Sequence, residues 1–259
     1  MKKSVKIISV CVAVVAFVAM SFMAATGVAL RLNLQKGDNY TVTVKSNQTI
    51  VMSAQGQSIT QGVLTEQVGT IKVNDANTVF SKWESILAKV SSMGMELVYD
   101  SKNPDKTSPM LKAQMKQYEE LLKAEATYKF DEQGKQVGEV NVEEYAGPVQ
   151  SVIRELPKEE MVKGYTWEKE DSKDVQGMSI KTTVSFTVKE VNKKNVVVDY
   201  VCTGGSDEMK INQTGTLTFD KAKGIVVKDT SKTDITASLS EQGMVIPMKI
   251  NGTSEIVVK

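Results

Sequence analysis

The residues able to do chemistry are few, and their spacing does not bring them together. The chain has no histidine. That removes the commonest general base and the commonest ligand for zinc, copper or haem. Triads of the Ser-His-Asp or Cys-His kind are excluded. Cys202 is the single cysteine outside the N-terminal apolar run, so it has no partner for an intrachain disulfide there. In VDYVCTGG it follows an apolar run and reads as a small core residue, with no neighbour that would lower its pKa. Acids occur in pairs at Glu119–Glu120, Glu143–Glu144 and Glu159–Glu160. Adjacent residues on a helix do not face each other, so these pairs suit a solvated surface better than shared proton transfer. The loop from Asp100 to Asp105 offers oxygen ligands but lacks the glycine and terminal glutamate of a calcium loop. Gly204–Gly205 follows a strand pattern with no helix pattern after it, which leaves a phosphate cradle unsupported. Asn47, Asn212 and Asn251 stand in N-x-T sequons and read as strand and turn residues. No catalytic residue, metal or cofactor is expected, and the protein is expected not to be an enzyme.

The charge pattern agrees. Outside Met1–Ala29, which holds three lysines and no acid, 29 basic residues face 31 acidic ones, interleaved along the chain. A nucleic-acid partner would need a clustered basic excess, so none is expected. Hydrophobic residues make up 41% and charged residues 24%, the balance of an ordinary globular domain.

Alternation dominates the rest. Tyr40, Val42 and Val44 alternate with Thr41, Thr43 and Lys45; Val184, Phe186 and Val188 with Thr183, Ser185 and Thr187; Ile246, Met248 and Ile250 with Pro247, Lys249 and Asn251. Side chains on a strand point to opposite faces in turn, so each run predicts a strand with one apolar face. Turn signals separate the runs: KGDN at Lys36, NDAN at Asn74, DEQG at Asp131, NKKN at Asn192, DKAKG at Asp220 and NG at Asn251. Short connections between alternating strands predict antiparallel meanders. Pro247 predicts that its strand lies at an edge or beside a bulge. Trp83 and Trp167 read as core packing.

Two segments break the pattern. SPMLKAQMKQYEELLKAE has Ser108 as N-cap and Pro109 at the first helical position, with Leu111, Met115, Tyr118 and Leu122 recurring at helical spacing. PVQSVIRELP is opened by Pro148 and closed by Pro157, with Val149, Val152, Ile153 and Leu156 on one face. Both stripes fit the apolar face of a sheet.

Some markers recur in order. KGDNY at Lys36, QGQSI at Gln55 and a strand ending at Phe130-Asp131 are echoed by KGYTW at Lys163, QGMSI at Gln176 and Phe219-Asp220. This predicts a duplicated meander, with the Ser108 helix present only in the first copy. The expected fold is α+β and mostly antiparallel β. It is one large curved sheet, a half-barrel or clam of two related meanders, with two amphipathic helices on its concave face. The expected organisation is a leader over 1–29 and one domain over 30–259. Its halves lie near 30–141 and 158–259, linked by a short helix near 148–156.

The leader has Lys2, Lys3 and Lys6 ahead of an apolar run from Ile7 to Ala25 and then small residues. That is the layout of a secretory signal, cleavable after Gly27 or after Ala29. The run is almost long enough to span a bilayer, so an uncleaved inner-membrane anchor is the alternative. Cys11 follows Ile-Ser-Val, whereas a lipidation box needs a small residue just before the cysteine.

The layout resembles the periplasmic lipoprotein-carrier (LolA-type) superfamily and its lipid-binding relatives. It resembles more closely a family of exported bacterial envelope proteins carrying KGDxY, YDS and KGxxW, here at Lys36, Tyr99 and Lys163. The resemblance covers nearly all of the exported chain, but its motifs are turn and strand markers. It implies a periplasmic, outer-membrane-associated or secreted protein that holds a lipid. Proteins of this sort are often lipid-anchored, and this chain departs from them in lacking a convincing lipidation cysteine. The 13 methionines point the same way, since Met suits adaptable apolar cavities as well as irregular cores. Met93, Met95, Met110, Met115, Met178, Met244 and Met248 fall on expected core faces. Two readings follow. One is a monomeric binding module with a cavity for a lipid or apolar small molecule between sheet and helices, walled by Leu111, Met115, Tyr118 and Leu122. The other is a structural or protein-interaction module of the envelope with a filled core.

Overall fold

A computed structural model describes residues 27–54, 57–137, 147–175, 178–241 and 244–259. Eleven strands form one sheet: β1 (Asn39–Ala54), β2 (Gln57–Asp75), β3 (Thr78–Ser92), β4 (Met95–Asp100), β5 (Glu125–Lys129), β6 (Thr166–Val175), β7 (Met178–Val191), β8 (Asn195–Ser206), β9 (Met209–Asp220), β10 (Val226–Glu241) and β11 (Met244–Val258). Among the described residues two α-helices accompany them, α1 (Lys112–Lys123) and α2 (Val149–Val152). The order across the sheet is β4-β3-β2-β1-β11-β10-β9-β8-β7-β6, with β5 also on β3. The sheet is open, and every pairing is antiparallel.

The first and last strands meet in the middle. β1 and β11 stay in register from Val42↔Val258 to Met52↔Met248. On either side a meander runs in the same order and sense, β1 to β4 on one side and β6 to β9 on the other. β9 runs the length of β8. In the first meander that place is shared: β4 pairs with Leu87–Ser92 of β3 and β5 with Thr78–Lys82. The chain leaves the sheet between them to form α1. Both meanders then turn on an aspartate. Asp131 Oδ1 accepts from the N–H of Gln133 and Lys135, and Asp220 Oδ1 from the N–H of Ala222 and Lys223. A glycine N–H, of Gly134 or Gly224, donates to that aspartate's carbonyl in each case.

Several local expectations give way to tertiary pairing. Asn251–Gly252 is no turn but lies inside β11, opposite Gln48 on one side and Thr233 on the other. Pro247 is on a central strand, not an edge. Its ladder to β1 ends at Met248, so the missing N–H falls just past the last pair. Ser108 does not cap α1. Its hydroxyl accepts from Val98 N–H of β4 at 3.0 Å, and a 3-10 turn, Pro109–Leu111, leads into the helix instead. α2 is a single turn that ends at Val152, and the chain runs on extended at Ile153. Met93 and Met95 are not core: they are 73% and 58% exposed, because they form the β3–β4 turn, with Met93 at φ 50°.

The core is three clusters on one face. The first gathers Val42, Ile71, Val79, Trp83 and Tyr128 under Leu32, Leu34, Val149 and Val152. The second gathers Val188, Val198, Leu217 and Phe219 under Leu30, Leu156 and Met161. The third is Ile86, Ala88 and Tyr99 with Leu111, against which Tyr118 and Leu122 pack. Tyr40 packs on the first cluster and Trp167 on the second. Fully burying each aliphatic side chain is worth roughly 1.5–3 kcal/mol, which is why the covering segments stay down. One of those segments is Leu30-Arg31-Leu32-Asn33-Leu34, whose three leucines are buried while Arg31 donates to the carbonyl of Lys158 at 2.8 Å.

Candidate functional site

The clusters occupy one end of their face, and the pleat carries the same face on toward the β1–β2, β8–β9 and β10–β11 turns. Cross-strand register makes rows there. Ser46, Ser254, Ser231 and Gly215 are successive partners across β1, β11, β10 and β9, and Gln48, Gly252, Thr233 and Gln213 form the next row. This is a polar belt. Beyond it Ile50, Ile250, Ile235 and Ile211 stand in line across the same four strands, followed by Met52, Met248, Ala237 and Met209. Side chains directly opposite on antiparallel strands lie close enough to touch, so each row is a continuous ridge. The isoleucines are half-buried, and none of the four belongs to the three clusters or packs against them. The other face at these positions carries Thr49, Asn251, Asp234 and Asn212.

A polar pocket sits where the covered core meets the belt. A cavity of about 350 Å³ opens there between the sheet and the segment after α2, with Val184, Phe186, Leu217, Cys202 and Ile256 as apolar wall and Arg154, Lys169, Asp229, Tyr200 and Gln213 as polar groups. Tyr200 crosses β9 to reach it. Its ring lies over Gly215, where a Cβ would come within 2.5 Å of the ring. Its hydroxyl then donates to Asp229 Oδ1 at 3.2 Å and accepts from Gln213 Nε2 at 3.4 Å. Arg154 Nη2 stands 3.9 Å from Asp229 Oδ2. Burial raises the Asp229 carboxyl above its ordinary range, against the pull of Arg154 and the Tyr200 hydroxyl. Burial likewise raises the Tyr200 phenol, helped by the charge of Asp229. An aromatic row backs the pocket: Trp167 stacks on Phe186 at 4.7 Å, and Phe186 lies tilted against Tyr200 at 6.2 Å.

A larger cavity lies elsewhere. A groove of about 890 Å³ lies on the opposite face between Leu64 of β2 and Val201 of β8. Threonines and Lys45, Glu66, Asp199, Lys232 and Glu255 line it. Lys45 pairs with Glu66 at 3.4 Å, and Lys228 with Glu255 at 3.1 Å beside it. Apolar wall from Leu64 and Val201 alternates there with these charged pairs, whereas the isoleucine and methionine rows carry no charged side chain.

The residues singled out from sequence fall in separate places. Leu111 is buried, Tyr118 stacks on Tyr99 at 5.4 Å, and Leu122 packs between the first and third clusters, all at the β3–β4 edge of the sheet. The side chains of Met110, Met115, Met178 and Met244 lie outside those described. A hollow of about 460 Å³ adjoins α1 between Tyr99, Pro104 and Leu122. Asp100 turns inward on its own loop, accepting from Asn103 Nδ2 at 2.7 Å and from the N–H of Lys102. The Asn103 hydrogen bond holds its carboxyl below the usual range. Cys202 is buried, which pushes its thiol up. Gly204 and Gly205 lie at the end of β8 against backbone of β7 and β9, close enough to leave no room for a Cβ. Glu143–Glu144 and residues 1–26 lie outside the described residues. The belt, the isoleucine row and the Tyr200–Asp229–Arg154 group were not visible in sequence.

No family model matches the chain, and no curated protein matches it in sequence. Among solved structures, it is similar to one of lipovitellin that concerns lipid-protein interactions, with a TM-score of 0.53 at 12% identity over 87% of this chain. The chain spans about a quarter of that one, 25%. This likeness shows the fold: a large open antiparallel sheet. Two others match at scores too low to carry an argument. They are the COG4313 outer membrane channel from Pseudomonas putida F1, TM-score 0.27, 8% identity, 87% of this chain and 97% of that one; and a DUF1329 family protein from Desulfovibrio piger, TM-score 0.16, 11% identity, 86% and 84%.

Proposed function

We propose that the protein binds a lipid or other apolar ligand, without catalysis, on the open half of its apolar face. The observation that carries this reading is the isoleucine row with the methionine row beside it, across four adjacent strands and outside the packed core. A ligand chain laid along the rows covers aliphatic surface that water otherwise meets, at roughly 25 cal/mol per Å². The belt and the Arg154 pocket supply hydrogen-bonding groups for the polar end of such a ligand. The likeness to lipovitellin, whose structure concerns lipid–protein contact, supports the class of ligand by analogy of fold. Export to the periplasm or outer membrane, through cleavage of the apolar leader, and kinship with the LolA-type carriers belong to the same reading.

Titration with a fluorescent long-chain fatty acid tests it. Ile235→Asn and Ile250→Asn each weaken binding while far-UV circular dichroism is unchanged. Equal binding by wild type and both variants contradicts the seat; no binding by wild type contradicts the function. The packed cluster beneath α1 favours a second reading, a structural or interaction module of the envelope with a filled core. Leu111, Tyr118 and Leu122, with Met115 as read from the sequence, are the alternative wall, and Leu122 borders the hollow at Tyr99. Met115→Trp separates the two seats: it displaces the probe only if the ligand lies against α1.

A further inference from the structure

Asp229 stands where the pattern of the sheet asks for an aliphatic side chain. Its row of cross-strand partners reads Val44, Ile256, Asp229, Leu217, Val198 and Val188. The other members belong to the packed clusters or lie against them. A carboxylate in that row is 6% exposed and desolvated, and its own contacts offset little of the cost. Oδ1 accepts from the Tyr200 hydroxyl, but Oδ2 has no hydrogen bond among the described residues. The nearest cation atom, Arg154 Nη2, stands 3.9 Å away, beyond hydrogen-bond reach. Both residues line the cavity of about 350 Å³.

A group seated between them must accept from the guanidinium and donate to Oδ2. The other charges around the cavity narrow the choice. Lys169 of β6 is engaged with Glu155 at 2.8 Å, and Asp171 adds a further acid from the same strand. Tyr200 and Cys202 of β8 stay neutral, because burial raises both. Arg154 is therefore the cation left to meet a ligand. A phosphate head would set its charge beside Asp229 with one cation to balance both, and an ammonium head would face Arg154 with nothing to accept from it. A carboxylic acid offers an acceptor and a donor side by side. Two carboxyl groups in one site share a proton, and Arg154 balances the charge that remains.

We infer that the Arg154–Asp229 pocket holds the head of a long-chain carboxylic acid, with one proton shared between the ligand carboxyl and Asp229, and that the tail runs along β10 to the isoleucine row. The inference rests on the lipid-binding reading and names the ligand class. On the pocket's face β10 continues through Ser231, Thr233 and Ile235. The run from Asp229 to Ile235 spans roughly 20 Å at the rise of a strand, about the length of an extended long-chain fatty acid. The first row crossed, Ser46, Ser254, Ser231 and Gly215, is small throughout and leaves the track open. The raised Asp229 carboxyl agrees with a site that favours a bound proton.

The test is isothermal titration calorimetry with palmitate at about pH 6 and about pH 8, in buffers of different ionisation heat, so that protons are counted as well as affinity. The wild type takes up about one proton per palmitate at the higher pH, and its affinity falls by up to tenfold per pH unit above the free Asp229 pKa. Asp229→Asn, whose amide N–H stands in for the shared proton, takes up none and binds equally at both pH values. Arg154→Gln binds roughly ten- to a hundredfold more weakly. Palmitate binding without proton uptake or pH dependence overturns the proposal, and this count on the wild type needs no variant to fold. An Asp229→Asn profile matching the wild type's, unchanged affinity in Arg154→Gln, or hexadecanol binding as tightly as palmitate overturns it too. Palmitate binding that Ile235→Asn weakens, but that fails these tests, overturns the head-group assignment alone and leaves the apolar seat. No binding by any form overturns both.

Discussion

Ile50 of β1 and Ile250 of β11 are direct partners across the pairing of the chain's first and last strands. Each also belongs to a hairpin of its own, with Gln61 opposite Ile50 and Ile235 opposite Ile250. The contact joins the two meanders at the middle of the sheet and lies beyond the polar belt, where the packed clusters end. The apolar face is therefore longer than the core that covers it, and this relationship supports a binding role.

Gly215→Val tests the Tyr200 bridge. A side chain at 215 displaces the ring that lies over it, and with the ring goes the hydrogen bond to Asp229. Overpacking of this kind costs roughly 1–3 kcal/mol. Urea unfolding should show the midpoint lowered with an unchanged slope.

The two aspartates respond to pH with opposite signs. Lys223 Nζ stands 2.6 Å from Asp38 Oδ2, tying the start of β1 to the β9–β10 turn, and it holds the Asp38 carboxyl below its ordinary value of 3.8. A depressed folded pKa means stability that is present above the unfolded value and is lost as pH falls through the folded one. Asp38→Asn should therefore lower stability at neutral pH by no more than about 1 kcal/mol, since the pair is partly exposed, and flatten the loss below about pH 4. Asp229 is raised, so its ionised form works against folding at neutral pH and that cost fades as pH falls toward its folded pKa. Asp229→Asn keeps an acceptor for Tyr200 and should raise the melting temperature at pH 7 more than at pH 4.

The N-terminal covering segment bears on the proposed cleavage of the apolar run. Val28 and Met161 exchange both backbone hydrogen bonds, at 3.0 and 2.8 Å, and Leu30 is fully buried. Cleavage after Ala29 would discard the Val28 bridge, whereas cleavage after Gly27 keeps it. N-terminal sequencing of the exported protein should therefore begin at Val28; an intact Met1 in the membrane fraction would show an anchor. Leu30→Ala should cost about 2–5 kcal/mol, as other buried leucine truncations do.

The strands were legible because each carries its own alternation. Tyr40-Val42-Val44 and Val184-Phe186-Val188 declare a buried face without reference to any neighbour, and the aspartate turns at Asp131 and Asp220 are local chemistry. What could not be read was register. Ile50, Ile211, Ile235 and Ile250 come from four strands, and nothing in any one strand says that they share a row. The same blindness made Asn251–Gly252 look like a turn: the local signal was sound, but pairing with both β1 and β10 overrode it. The covering segment did have a signal, since Leu30, Leu32 and Leu34 alternate as a strand would.

The central claim is that the isoleucine row holds an apolar ligand. Native mass spectrometry of the protein purified from its own cells, followed by organic extraction, tests it most directly. The account predicts a wild-type species heavier than the bare chain by the mass of a lipid recovered in the extract, and an Ile235→Asn species without it. Wild type and variant both running at the mass of the bare chain, with nothing extracted, would contradict the account and leave the structural or interaction reading.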